Sequence, residues 1–128
     1  MKLGYVILYV PDVAAAVAFY EEAFGLERRF LHESGQYAEL ETGETALAFA
    51  HEDLAATNAP FRPTRPADEA PAVEVALVTG DVAAAYKRAV AAGATAVAKP
   101  KTKPWGQVVS YVRDRNGFLV EICSAVSG

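Results

Sequence analysis

The chain repeats itself. Asp12-Val13-Ala14-Ala15-Ala16 returns letter for letter as Asp81-Val82-Ala83-Ala84-Ala85, an offset of 69 in a chain of 128 residues, so two similar halves lie end to end. An apolar run precedes each copy: Tyr5 to Val10 in the first half and Glu74 to Thr79 in the second. The offset sets Leu8 on Leu77, Val6 on Val75 and Tyr5 on Glu74. The last of these pairs puts a carboxylate into a strand, and a carboxylate in an apolar strand points to function.

The local signals give the same order of elements twice. The run from Lys2 to Val10 reads as a strand halted by Pro11, which has no N–H to give to a ladder. Asp12 then caps a helix whose apolar residues Val13, Ala16, Val17, Phe19, Tyr20 and Phe24 keep helical spacing up to Gly25. Strands follow at about 27–33, 36–41 and 45–50, divided by the turn pairs Ser34-Gly35 and Thr42-Gly43. A stretch from His51 to Pro71 carries Pro60, Pro63, Pro66 and Pro71 and reads as a linker with one helical turn near 52–57. The second half predicts a strand at 73–78, a helix at 81–92 ended by Gly93, and strands at about 96–99, 107–112 and 118–123. Gly-Gln recurs at equivalent points, Gly35-Gln36 and Gly106-Gln107. The expected fold is α+β: one domain of two β-α-β-β-β modules, about 1–53 and 72–124, joined by a linker at about 54–71, with a curled mixed sheet around a cavity.

Composition excludes several functions. The single cysteine, Cys123, rules out an intramolecular disulfide, and no apolar run or leader suggests a membrane or secretion, so a cytoplasmic protein is expected. The net charge of −4 and scattered basic residues give no support for a nucleic-acid partner and favour a neutral or cationic ligand. Phosphate loops, cysteine-pair zinc motifs and nucleophile elbows are absent from the sequence.

The order of strand, Pro11-Asp12-Val13, helix with Phe19-Tyr20 and Phe24-Gly25-Leu26, and a last strand Asp114-Arg115-Asn116-Gly117-Phe118-Leu119-Val120-Glu121 resembles the vicinal oxygen chelate superfamily. That superfamily includes glyoxalase I, bleomycin-resistance proteins and extradiol dioxygenases. The resemblance covers nearly the whole chain. It implies paired modules whose sheets form a cup, frequent homodimers and, in metal-using members, four ligands on the first and last strands of each module. Here those positions fall on Tyr5, on Leu47 or Ala48, on Glu74 and on Glu121. Only Glu121 matches the metal-using pattern.

Strand alternation gives an independent expectation. If Val6, Leu8, Val75 and Leu77 face the helices, then Tyr5, Ile7, Tyr9, Glu74, Ala76 and Val78 face the other way, as do Leu119, Glu121 and Cys123. Glu74 and Glu121 then share one hollow. Leu47 and Phe49 are assigned to its wall, with His51 at the same parity but at a strand end; His32 reads as surface. Trp105, between Pro104 and Gly106, stands at the rim or against a partner subunit. Arg113, Asp114 and Arg115 around the last turn are expected to be solvated, and Cys123 to be inert packing.

Three readings of Glu74 and Glu121 stand open. They ligate a divalent ion through oxygen alone, which suits Mg, Mn or Ca; they recognise a small molecule or move a proton without metal; or Glu74 is a solvated residue paired with a nearby cation. The leading functional expectation is a metal-independent homodimeric protein binding a small organic molecule, such as a sequestered drug or metabolite, through Tyr5, Ile7, Tyr9, Leu47, Phe49, Glu74, Trp105 and Glu121. The alternative is a metal-dependent lyase or isomerase resembling glyoxalase I, in which a divalent ion acts with Glu121 as acid/base and Glu74 as second ligand.

Overall fold

The computed structural model describes residues 1–126. The first unit, Met1–Pro63, holds β1 (Tyr5–Val10), α1 (Val13–Phe24), β2 (Glu27–Leu31), β3 (Tyr37–Glu41), β4 (Ala46–His51) and α2 (Glu52–Ala56). The second, from Thr64, holds β5 (Glu74–Val78), α3 (Val82–Ala91), β6 (Thr95–Thr102), β7 (Val108–Arg113) and β8 (Leu119–Cys123). Each unit forms its own four-stranded mixed sheet, ordered β1-β4-β3-β2 and β5-β8-β7-β6. The fold is α+β, two β-α-β-β-β modules, each with its own open four-stranded sheet.

The caps act as the repeated pentapeptide requires. The Asp12 carboxylate accepts from the Ala15 N–H at 3.0 Å and the Asp81 carboxylate from the Ala84 N–H at 3.1 Å, each satisfying one otherwise unpaired donor of the first helical turn. Gly25 ends α1 in the left-handed region, φ 67°, where a side chain would be strained. At the end of α3 the cap is Ala92, and Gly93 follows with φ 113°.

In the first unit Val6, Leu8 and Val10 of β1, Leu47 and Phe49 of β4, and Ala38 and Leu40 of β3 share one sheet face by register and alternation. α1 covers this face. The Phe49 ring meets the Tyr20 ring at 5.0 Å, edge to face, and both side chains are fully buried. Removing this apolar surface from water, rather than the helix propensity of a twelve-residue segment, holds α1 in place. In the second unit Val112, Val120 and Ile122 line the corresponding face with Val82 and Ala89 of α3, and the buried Ser110 hydroxyl donates to the Ile122 carbonyl at 2.8 Å.

Two local expectations are corrected. β6 runs to Thr102, well past Lys99, and contains Pro100; it is an edge strand whose pairing with β7 shifts register between Ala98 and Lys101, so the missing N–H costs no regular ladder bond. The last turn is exposed at Arg115, as expected, but Asp114 is not solvated. Asp114 is 2% exposed, and its Oδ1 accepts from the N–H groups of Asn116 and Phe118, both at 2.9 Å. Arg113 donates to the carbonyls of Gly117, Pro66 and Arg65, and Arg115 to that of Ala92. These side chains tie the β7–β8 turn to neighbouring backbone.

Candidate functional site

In the second unit the parallel register sets Glu74 opposite Leu119 and Ala76 opposite Glu121. Glu74 and Glu121 are therefore diagonal neighbours on one sheet face, the face turned away from Val120 and Ile122. Each carboxyl group lies close enough to act on the other's proton affinity. Tyr111 lies directly across from Glu121 in the antiparallel β7–β8 pair, and its hydroxyl donates to Glu121 Oε1 at 2.9 Å. Cys123, two residues on and 2% exposed, completes the row, and its thiol donates to the Leu77 carbonyl at 3.8 Å.

These contacts divide the two carboxyls into unlike groups. The bond to Glu121, then burial and the Glu121 charge, push Glu74 up to about 7. Burial works against the Glu121 carboxylate, but the bonds from Glu74, Cys123 and Tyr111 and the nearby Lys103 ammonium outweigh it and hold Glu121 below the usual range. Below about pH 7 the pair keeps one proton, favoured on Glu74, because charging two close carboxyls is costly. Burial and the Glu121 bond raise the Tyr111 phenol to about 12, and burial raises the Cys123 thiol to about 11. Tyr111 thus remains a donor, and the thiol stays unactivated. The face presents a proton donor, Glu74, beside a fixed acceptor, Glu121.

The first unit arranges its acid differently. Ile7 pairs with Ala48 where Ala76 pairs with Glu121, so Ala48, not Leu47, occupies the position equivalent to Glu121. One strand over, Glu39 of β3 lies opposite Ala48 and is 7% exposed. Its oxygens accept from the Tyr37 hydroxyl at 2.8 Å and from Arg29 at 3.2 Å. Arg29, at the bulge between Arg28 and Phe30, also bridges both oxygens of Glu41 at 2.8 Å and donates to the Gly43 carbonyl at 3.1 Å. The bond from Arg29 holds Glu41 below its ordinary range. This network is closed on itself and leaves no donor or acceptor poised as the Glu74 and Glu121 pair does.

The other expected site residues separate by unit and by face. Tyr5, Ile7 and Tyr9 share the face of the first sheet opposite α1; Tyr5 is 57% and Ile7 42% exposed, while the Tyr9 ring packs edge-on to Phe61 at 4.7 Å. Leu47 and Phe49 are on the opposite face, in the core beneath α1, and so are not wall residues. β4 is buried on both faces, so its sequence carries no alternation and only its register reveals the direction of its side chains. His51 caps α2, its Nδ1 accepting from the Asp53 N–H at 3.0 Å, and His32 bonds to Ser34 in a surface turn. Trp105 is 58% exposed at the β6–β7 turn. Sequence reasoning missed Tyr111 as a partner of Glu121, although a tyrosine at the same parity on an adjacent strand was the available signal.

The positions that the resemblance assigns to a divalent ion are Tyr5, Ala48, Glu74 and Glu121. Ala48 has no donor atom, one Glu121 oxygen already accepts from Tyr111, and the two glutamates hold a proton that an ion would have to expel. Among the described residues no three His, Cys, Asp or Glu side chains come together as a ligand group. The donor set does not fit a divalent ion. No helix of the described residues is long and apolar enough to cross a membrane.

The fold recurs in solved structures. A glyoxalase-related enzyme from Fulvimarina pelagi is 23% identical, with a TM-score of 0.82 over 98% of this chain and 88% of that one. TioX from Micromonospora sp. ML1 is 26% identical, with a TM-score of 0.73 over 97% and 98%. A glyoxalase/bleomycin resistance protein/dioxygenase family enzyme from Burkholderia phytofirmans PsJN is 22% identical, with a TM-score of 0.73 over 99% and 100%. No curated protein matches the sequence. A family model matches residues 2–122, nearly the whole of both modules, and with the repeated β-α-β-β-β unit it shows that the chain belongs to the Glyoxalase/Bleomycin resistance protein/Dioxygenase superfamily.

Proposed function

We propose that this protein binds a small organic molecule without a metal ion, through the face of the second sheet that carries Glu74 and Glu121. The observation behind this reading is the placement of two carboxyls on one sheet face, Glu121 steadied by the Tyr111 hydroxyl and Glu74 with its proton affinity raised beside it. A protonated ligand amine or amidine donates to Glu121 while Glu74 keeps its proton; a ligand hydroxyl can accept from Glu74 and donate to Glu121. A carboxylate ligand meets repulsion from Glu121 in either case. The protein's net charge of −4 favours the same ligands. Trp105, exposed at the β6–β7 turn of the same unit, suits a ligand with a planar part.

This is a binding and sequestering role in a cytoplasmic homodimer rather than a metal-assisted isomerisation, because the donor set lacks the ligands such chemistry requires. The test is calorimetric melting of wild type, Glu74→Ala and Glu121→Gln against a panel of aromatic amines, neutral polyols and carboxylates. The reading expects amines to raise the wild-type Tm in proportion to ln(1 + [L]/Kd) and to lose that effect in both variants. If carboxylates stabilise as well as amines, or Glu74→Ala responds as wild type does, the reading is wrong.

A further inference from the structure

An exposed tryptophan at a hairpin tip has no packing reason to keep one orientation. Trp105, the single tryptophan of the chain, is nevertheless held. Its indole Nε1–H donates to Gln107 Oε1 at 2.9 Å, and Gln107 Nε2 donates to the Ser124 carbonyl at 2.9 Å. An indole nitrogen only donates and a carbonyl only accepts, so a single orientation of the Gln107 amide serves both, and an amide is the side-chain group that can. The far end of the relay is itself anchored. Ser124 N–H donates to the Val108 carbonyl, and the Val108 N–H to the Ser124 hydroxyl, both at 2.9 Å.

The tip is pinned from the other side as well. Lys103 N–H donates to the Gln107 carbonyl and Gly106 N–H to the Lys103 carbonyl, both at 2.8 Å, with Gly106 at φ 90°, a conformation that glycine tolerates. By strand alternation Gln107, Val109 and Tyr111 share one face, and the register of Val109 with Cys123 and of Tyr111 with Glu121 makes it the face that carries the carboxyl pair. Water would satisfy an exposed indole N–H as well as Gln107 does, so the bond adds little to stability. What it adds is direction.

We propose that Gln107 is a positioning residue that fixes the plane of Trp105 as a preformed stacking surface for a planar, cationic ligand held by Glu121. The inference rests on the binding reading above. Glu121 supplies the charge that selects the cation, and the fixed indole removes the entropy of ordering a large side chain at the moment of binding. Gln107 does not touch the ligand; it acts through the ring.

Because Trp105 is the single tryptophan, its fluorescence anisotropy decay reports the ring directly in the ligand-free protein. The wild-type indole is expected to tumble with the whole protein. Gln107→Ala is expected to add a nanosecond local component, and so is Gln107→Glu, which keeps an acceptor for the indole but turns a second oxygen against the Ser124 carbonyl. Both variants melt near the wild-type temperature, which separates loss of position from loss of fold, and both bind proflavine, a planar cation, about three- to tenfold more weakly than wild type. Equal anisotropy decays in wild type and both variants overturn the inference, as does equal proflavine affinity where wild type binds. Should wild type itself not bind proflavine, the claim for planar cations is lost. The amine panel on Glu74→Ala then judges the broader binding reading separately.

Discussion

Glu74 of β5 and Glu121 of β8 share one face of a parallel strand pair, and their proton affinities are driven apart, Glu74 upward and Glu121 downward. The register makes them diagonal neighbours, and Tyr111, opposite Glu121, gives the pair its asymmetry by donating to one member. A symmetric pair would have no defined donor. This one has, and the expected ligand chemistry follows from it.

Stability should depend on pH through this pair. The folded value of Glu74, about 7, lies above the ordinary 4.5, so the folded chain holds that proton more tightly than the unfolded chain does. Its stabilising contribution is complete below about pH 4.5 and is lost as pH rises through about 7. Glu121, held low, contributes in the opposite sense and loses its contribution as pH falls below the usual carboxylate range. Melting temperatures measured at pH 6 and pH 8.5 should fall for wild type and stay level for Glu74→Gln, which mimics the protonated form. A wild type and a variant with parallel profiles would contradict this.

Phe49 belongs to the core and not to a binding surface. Phe49→Ala removes the ring packed on Tyr20 beneath α1 and should cost about 3–5 kcal/mol in urea unfolding. Affinity for any ligand, measured on the protein that remains folded, should be unchanged.

The contrast between Phe49 and Glu74 shows what the sequence could and could not reveal. The repeated pentapeptide, Asp12 and Asp81 as caps and the period-two runs of β1 and β5 are local signals, and local chemistry realises them. Glu74 and Glu121 were legible as residues of one face because β5 alternates in exposure and β8 continues the same parity. Leu47 and Phe49 were not, because β4 is buried on both sides and its facing depends on pairing with β1, a contact more than forty positions away in sequence. Asp114 was misread for a related reason. Its side chain serves backbone donors two and four residues on, and such a turn looks from sequence like any other polar loop.

Asp114→Ala should therefore destabilise the second unit. It strands the N–H groups of Asn116 and Phe118 at a buried turn, a loss of about 1–3 kcal/mol. Denaturant melts of Asp114→Ala against Asp114→Asn, which retains the acceptor oxygen, should rank alanine as the less stable.

Gly117 is required by conformation and by space. Its φ is 98°, and a Cβ there would lie 2.8 Å from the Arg65 carbonyl oxygen. Gly117→Ala should lower stability by more than about 1 kcal/mol, whereas Gly35→Ala, also at positive φ but with nothing within 4 Å, should cost less.

The central claim is that Glu74 and Glu121 hold a single proton between them below about pH 7, and carbon-detected magnetic resonance of the glutamate carboxyl groups tests it most directly. In the ligand-free protein one carboxyl carbon, assigned to Glu74, should titrate near pH 7 and return towards the ordinary carboxylate range in Glu121→Gln. A titration in which every glutamate carboxyl changes in the ordinary range, or in which Glu121→Gln leaves Glu74 where it was, would contradict the account.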